Sequence, residues 1–194
     1  MTAHRWIGVL ATASLVLTAA YPLAVYFLLD RGDLRLAGLA MLVAVMLRFL
    51  APGAAKVQVM AALAIGVVFA GAITLTNSEL VARLYPVAVS VALLIAFGMT
   101  LLRPPSMIER IARGAGAVLD AAGKRYTRTV TVVWCGFFVA NACIALATAF
   151  LASRELWAVY NGLISYVIAG TLLVGERVVR PAFQRRQVTG SASG

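Results

Sequence analysis

The stretch LYPVAVSVALLIAFGMTLLRPPSMIERIAR, residues 84–113, joins a long apolar run to an abruptly polar segment. The run 84–102 contains no charged residue, and about 20 apolar residues in a helix cross a hydrocarbon core. Pro104 and Pro105 then stop the helix, because proline has no backbone N–H to continue the helical hydrogen bonds. The stretch therefore predicts a transmembrane helix that ends at residue 102.

The polar segment predicts a second, amphipathic helix over about 107–122. Ser106 and Glu109 have capping-box spacing, in which both side chains bond free N–H groups at a helix start. Glu109 and Arg113 form an i,i+4 pair, and Arg110 shares the polar side with Arg113. We expect this basic helix to lie at the membrane interface, held by apolar contacts and anionic headgroups. An ordinary polar loop is the alternative.

The composition of the whole chain matches this membrane reading. Of its 194 residues, 62% are hydrophobic and 12% are charged, whereas soluble domains have roughly 45–50% and 25%. We predict an all-α, polytopic membrane protein with one six-helix domain, residues 1–183, and a disordered polar tail, 184–194. The predicted spans are about 7–29, 34–50, 57–76, 84–102, 129–151 and 156–179.

The distribution of charge predicts the orientation. The chain has 17 basic and 7 acidic residues, a net charge of +10. With a cytoplasmic N-terminus, 13 basic residues fall on the cytoplasmic side and four fall opposite. The four are Arg31, Arg35, Arg83 and Arg154. This is the positive-inside pattern, so we expect both termini in the cytoplasm of a bacterium and the chain in its inner membrane. Nucleic-acid binding is not expected.

The last two predicted spans carry polar and aromatic residues within apolar runs. The candidate polar membrane face consists of Trp134, Asn141, Trp157, Asn161, Tyr166 and Glu176. An amide in hydrocarbon needs a partner, so these residues should face other helices. Two interpretations stay open: the face lines a polar crevice for a headgroup, or it hydrogen-bonds one helix to the next. The Glu176 carboxylate either relays protons or pairs with an arginine.

No catalytic residue, cofactor site or metal site is expected. His4 is the single histidine, and the two cysteines read as small buried residues rather than a redox pair. GAGAVL at 114–119 and VLDAAGK at 118–124 each lack a residue that their nucleotide-binding motif requires. We therefore expect a protein that is not an enzyme.

Three stretches carry a resemblance to known families: residues 84–113, YTRTVTVVWCGFFVANACIALATA at 126–149, and WAVYNGLISYVIAGTLLVGE at 157–176. They resemble a family of uncharacterised bacterial inner-membrane proteins, often encoded with fatty-acid-like or aryl-polyene biosynthesis genes and sometimes mislabelled as a gyrase subunit. A more distant similarity is to the intracellular septation protein A family. The residues that carry it are Trp134, Phe137, Phe138, Asn141, Trp157 and Asn161.

The resemblance implies a role in envelope biogenesis, through biosynthesis or export of a lipid-like or polyene product. Its partners would be membrane lipids, other biosynthetic membrane proteins or further copies of the chain. Two alternatives remain: a small proton-linked transporter or lipid flippase with its site around Asn141, Tyr166 and Glu176, and a septation-type scaffold that recruits envelope-synthesis proteins through the basic segment. No catalytic residue is implied for this chain.

Overall fold

A computed structural model of the chain describes residues 21–28, 34–50, 57–114 and 116–176. All regular secondary structure in these residues is helical, which confirms the all-α class. Most of the predicted first span, the end of the sixth and the polar tail lie outside the described residues. The helices are α1 (21–28), α2 (Arg35–Leu50), α3 (Val57–Thr76), α4 (Glu79–Leu102), α5 (Met107–Gly114), α6 (Ala121–Leu151) and α7 (Arg154–Glu176).

Within the described residues, three helices are long and apolar enough to cross a membrane. They are α4 with 24 residues, α6 with 31 and α7 with 23. Many of their large apolar side chains are exposed in the isolated chain, among them Ile95, Phe150 and Val167. Apolar surface of this kind needs an apolar solvent, so these helices mark a transmembrane protein.

The long helices begin earlier than the apolar runs predicted. The α4 helix starts at Glu79 rather than at residue 84, α6 at Ala121 rather than 129, and α7 at Arg154 rather than 156. Hydropathy marks the part of a helix that suits a bilayer, whereas the helical hydrogen bonds continue into polar sequence. Ser153 caps α7, because its side chain accepts a hydrogen bond from the Leu156 N–H at 3.3 Å.

The amphipathic helix expected over 107–122 is shorter. The α5 helix ends at Gly114, and residues 116–120 are not helical. Gly116 has a φ of 85°, and its N–H bonds the Arg113 carbonyl at 2.9 Å. The next N–H bonds the Ala112 carbonyl at 3.0 Å, which completes the Schellman arrangement that ends helices at glycine. Asp120 then opens α6 by accepting from the Gly123 N–H at 2.7 Å.

The predicted capping box does not form. Ser106 is buried, and its hydroxyl oxygen has no hydrogen-bond partner among the described residues. The free N–H of Ile108 donates instead to the Thr131 hydroxyl of α6 at 3.3 Å. Glu109 pairs with Arg113 at 2.6 Å, as the i,i+4 spacing predicts. The start of α5 is therefore capped by a neighbouring helix rather than by its own residues.

The chain divides into two compact units. The first unit is Met1–Ala92 with Ala140–Ser165, and the second is Leu93–Val139 with Tyr166–Gly194. Within the first unit, α2 and α3 pack closely, since a Cβ on Gly38 would lie 2.9 Å from the Ala70 carbonyl oxygen. Asn77, at a φ of 47°, turns the chain between α3 and α4, and its side chain accepts from the Leu34 N–H at 2.7 Å.

Candidate functional site

The Asn141 amide joins three helices within the first unit. Its nitrogen donates to the Ser90 hydroxyl of α4 at 2.9 Å, and its oxygen accepts from the Tyr160 hydroxyl of α7 at 3.1 Å. Ser90 in turn donates to the Pro86 carbonyl at 2.9 Å. Polar groups in apolar surroundings are costly unless they are hydrogen-bonded, so this chain of bonds stabilises the approach of α4, α6 and α7.

A proline inside α4 is compensated in the same unit. Pro86 has no N–H, so the Ala82 carbonyl one turn earlier loses its intrahelical donor. The Tyr21 hydroxyl donates to that carbonyl at 3.0 Å, and Tyr21 is itself buried. The proline therefore creates an acceptor that ties α1 to α4.

Asn161 lies in a π-helical turn, Tyr160–Ile164, within α7. The Asn161 nitrogen donates to the Trp157 carbonyl at 2.9 Å and to the Thr148 hydroxyl of α6 at 3.2 Å. In the π-helical turn the Ser165 N–H bonds the Tyr160 carbonyl, and the Ser165 hydroxyl donates to the Asn161 carbonyl at 3.2 Å. Side chains thus support the irregular turn, a feature that is frequent at functional sites.

One atom of this turn stays unpaired. The Asn161 side chain is 3% exposed, and its Oδ1 has no hydrogen-bond partner among the described residues. The orientation of the amide follows from Trp157, because only the nitrogen can donate to a carbonyl oxygen. Asn161 therefore presents a buried neutral acceptor that can take one hydrogen bond from a donor.

A charged cluster lies where α4 and α7 begin. Arg83 donates to the carbonyls of Ala152 and Ser153 at 2.9 and 3.0 Å, which caps the end of α6. Its guanidinium lies 5.8 Å from the ring centroid of Trp157, a cation–π contact, and the Trp157 indole donates to the Arg83 carbonyl at 3.2 Å. Arg83 lies one residue before the predicted span 84–102, yet it is part of α4 and of the helix packing.

Glu79 closes the same cluster from the first turn of α4. Its carboxylate accepts from Arg154 at 2.8 and 3.1 Å and lies 3.7 Å from Arg83. The Glu79–Arg154 ion pair joins α4 to α7, whereas the Glu79–Arg83 contact lies within α4. The cluster holds the ends of α4 and α7 together within the first unit.

The second unit places Trp134 among aromatic rings. Its ring centroid lies 5.8 Å from Phe137 and 5.7 Å from Phe138, and the Phe97–Phe138 centroids are 5.1 Å apart at 76°. These distances suit edge-to-face and tilted aromatic packing. Trp134 was predicted to share a polar face with Asn141, yet its ring contacts here are apolar.

The trio suggested for a proton-linked site is distributed over both units. Asn141 belongs to the first unit, and the tyrosine that donates to its amide oxygen is Tyr160 rather than Tyr166. Tyr166 and Glu176 belong to the second, where Tyr166 is 44% exposed and the Glu176 backbone carbonyl accepts from the Tyr126 hydroxyl at 3.3 Å. Asn141 and Asn161, in contrast, lie in the same unit.

The basic segment, residues 103–128, contains arginine side chains that bond backbone carbonyls where α4 ends. Arg128 donates to the Leu101 carbonyl at 3.0 Å, and Arg110 donates to the carbonyls of Pro105 and Arg103 at 2.8 and 3.1 Å. Two of the arginines therefore cap the end of α4 and the turn after it. Orphan carbonyls at a helix end favour cations.

Four contact residues lie outside the candidate polar face: Ser90, Tyr160, Thr148 and Arg83. Thr148 follows Asn141 by seven residues, two helical turns along the same side, and Tyr160 adjoins Asn161, so both had a visible signal. Ser90 had only its position four residues after Pro86, and Arg83 lay just before the predicted helix start. Sequence spacing shows which residues share a helix face, not which faces meet.

Comparison with protein-family models, with curated proteins and with solved structures finds no match to this chain. Within the described residues, no three His, Cys, Asp or Glu side chains lie together as metal ligands do. Function is therefore inferred from the residues and their geometry.

Proposed function

We propose that this chain is a non-enzymatic protein of the bacterial inner membrane that assists the biosynthesis or export of a lipid-like envelope or polyene product. The buried Asn161 oxygen would accept a hydrogen bond from a hydroxyl of that product. The apolar part of the product would contact the apolar surfaces of α6 and α7. The role agrees with the one that the sequence resemblance implies.

The unpaired Asn161 Oδ1 is the observation that carries this proposal. A buried acceptor without a donor costs about 1–3 kcal/mol, so a donor that reaches it gains binding free energy. The groups that hydrogen-bond Asn161 are neutral: Thr148 and Ser165 contribute hydroxyls, and Trp157 contributes a carbonyl. A neutral hydroxyl suits such surroundings better than a cation, which needs charged or numerous oxygen ligands.

We further propose six membrane spans with both termini in the cytoplasm. The support is the excess of Lys and Arg around α5 and the predicted ends of the spans. Reporter fusions placed after Gly116 should be active only in the cytoplasm, and fusions after Asn77 only in the periplasm. A periplasmic signal after Gly116 contradicts this orientation.

The α5 helix would lie along the cytoplasmic interface. Ile111, in the last turn of α5, is 57% exposed, and Arg110 and Arg113 of the same helix are exposed as well. Val118, which follows the helix, is 99% exposed. Exposed apolar groups beside cations are typical of interfacial segments. An environment-sensitive dye attached at position 118 should report an apolar surrounding in lipid nanodiscs, and a fully aqueous signal there contradicts an interfacial position.

The cargo hypothesis is tested by purifying the protein from cells and extracting the molecules that it retains. Mass spectrometry should find a hydroxylated, lipid-like compound enriched over an unrelated membrane protein purified in the same way. Asn161→Leu, which keeps the volume but removes the amide, should lose most of that compound. Thr171→Val is the matched control, because Thr171 is exposed on the same helix and bonds only its own turn.

Two results would contradict the proposal. Retention of the compound by Asn161→Leu at the level of the original chain removes the role of the amide. Conversion of the compound by the purified protein alone makes the chain an enzyme. Thermal unfolding of both variants in the same detergent shows whether a loss reflects binding or folding.

A further inference from the structure

We infer that the basic end of α4 is a binding site for the phosphate of an anionic lipid headgroup. Three exposed arginines define it: Arg103, Arg110 and Arg128. The inference rests on the proposed insertion of α4 and α6 in a bilayer. It does not depend on the cargo proposed at Asn161, and it concerns the second unit alone.

Two of the guanidinium groups are held on one short segment of backbone. Arg128 comes from α6 and bonds the Leu101 carbonyl, whereas Arg110 comes from α5 and bonds the carbonyls of Arg103 and Pro105. Residues 101–105 thus gather both groups where α4 ends. Because these bonds exist before a ligand arrives, less side-chain freedom is lost on binding.

Both groups keep donors for a ligand. A guanidinium carries about five N–H donors, of which Arg110 uses two and Arg128 one in the described contacts. Arg103 adds a third guanidinium from the same segment. Arginine pairs with the oxygens of a phosphate through two parallel hydrogen bonds, which are stronger than neutral ones.

The positive charge at this site is not neutralised by a carboxylate. Among the described residues, no salt bridge reaches Arg103, Arg110 or Arg128. The nearby acids are engaged elsewhere, since Glu109 pairs with Arg113 at 2.6 Å and Asp120 accepts from the Gly123 N–H. An anion is therefore the complementary ligand.

The apolar neighbours favour a lipid over a soluble anion. Leu102 is 78% exposed and Ile111 is 57% exposed, and both adjoin the arginines in sequence. Acyl chains would cover these side chains, whereas inorganic phosphate would leave them in water. A headgroup phosphate also lies at the depth where a transmembrane helix ends.

The test uses the full chain in nanodiscs of phosphatidylcholine with phosphatidylglycerol added. Native mass spectrometry then measures how much phosphatidylglycerol the released protein retains. The double variant Arg110→Gln/Arg128→Gln should bind phosphatidylglycerol roughly 30-fold more weakly. The matched control is Lys124→Gln/Arg125→Gln, which removes the same charge from exposed positions at the start of α6.

If the double variant fails to fold, the single variant Arg103→Gln tests the same site by the same measurement of phosphatidylglycerol retention. The Arg103 side chain is exposed, and α4 and α5 are capped by other groups, so folding should be unaffected; we expect about fivefold weaker binding. Equal losses in both double variants would show diffuse charge attraction and overturn the site. The site is also overturned if the protein shows no preference for phosphatidylglycerol, or if free inorganic phosphate competes at the same concentration as the lipid. Loss of cargo retention in Asn161→Leu with phosphatidylglycerol binding intact separates this site from the proposed function.

Discussion

The two units use the same three long helices but hold them together differently. In the first unit, α4, α6 and α7 are joined by amides, hydroxyls and the Arg83 cluster. In the second unit, aromatic rings supply the side-chain packing between α4 and α6, with Phe97 against Trp134 and Phe138, and the Arg128 guanidinium bonds the Leu101 carbonyl where α4 ends. Hydrogen bonds fix which helices meet and in what register, whereas aromatic packing tolerates more change.

The two proposed sites differ in the same way: the cargo site at Asn161 is buried and neutral, whereas the phosphate site at Arg103, Arg110 and Arg128 is exposed and cationic. Among the described residues, the first unit contains the buried Asn161 amide and the π-helical turn, where the cargo is proposed to bind. The second unit ends in cations and exposed apolar side chains, which suits contact with lipid at the interface. Four sets of variants test this difference between the units.

The two tryptophans should differ most. Trp157 is fully buried and donates to the Arg83 carbonyl, whereas Trp134 is partly exposed. Trp157→Ala should lower the free energy of unfolding by about 3–5 kcal/mol, and Trp134→Ala by clearly less. Denaturant titration in mixed micelles measures both. An equal or larger cost at Trp134 would show that the aromatic cluster, not the polar unit, dominates stability.

The two arginines of the first unit come next. Arg83→Met leaves the carbonyls of Ala152 and Ser153 without their donor, and we expect a loss of about 2 kcal/mol. Arg154→Met removes an ion pair in which the Arg154 side chain is 44% exposed, and such pairs contribute under about 1 kcal/mol. The same titration compares them, and similar costs would contradict the capping role of Arg83.

The start of α5 offers a matched pair of hydroxyls in the second unit. Thr131→Val removes the acceptor of the Ile108 N–H and should cost about 1 kcal/mol. Ser106→Ala removes a hydroxyl with no partner among the described residues, so we expect a change within about 0.5 kcal/mol. A larger effect at Ser106 would restore the capping box that the sequence predicts.

The hydrogen bond between Asn141 and Tyr160 should give a small coupling energy. A double-mutant cycle of Asn141→Leu with Tyr160→Phe should give about 0.6 kcal/mol, the average for hydrogen bonds between membrane helices. The cycle of Asn141→Leu with Tyr166→Phe should be additive, because the amide bonds Tyr160. Coupling to Tyr166 instead would favour the proton-linked trio.

Much of the helix content was predictable, and the helix ends were not. The absence of charge over 84–102 identifies the membrane part of α4, yet the helix begins at Glu79. An acidic residue suits the first turn of a helix, but it carries no hydropathy signal. The extent of α5 was overestimated, because Gly116 at a positive φ ended it before the apolar pattern stopped.

The candidate site shows a similar limit. An amide within an apolar run needs a hydrogen-bond partner, so the sequence shows that Asn141 must have one. It does not show which residue that is, because Ser90, which accepts from the amide, lies 51 residues earlier. Asn161 was marked by the same argument, whereas its π-helical turn and its unpaired oxygen had no signal in the sequence. Trp134 had the spacing of a polar face and took aromatic neighbours.

Residues in apolar runs, charge counts and prolines decide by themselves that this chain is helical and that it belongs in a bilayer. The reason is local: without water, each backbone amide must bond within its own helix, whatever its neighbours are. Only the packing of α4, α6 and α7 decides that Asn141 bonds Ser90 and Tyr160, that Arg83 caps α6, and that Asn161 bonds Thr148. Those bonds join residues far apart in the chain, and they exist only where two helix faces meet.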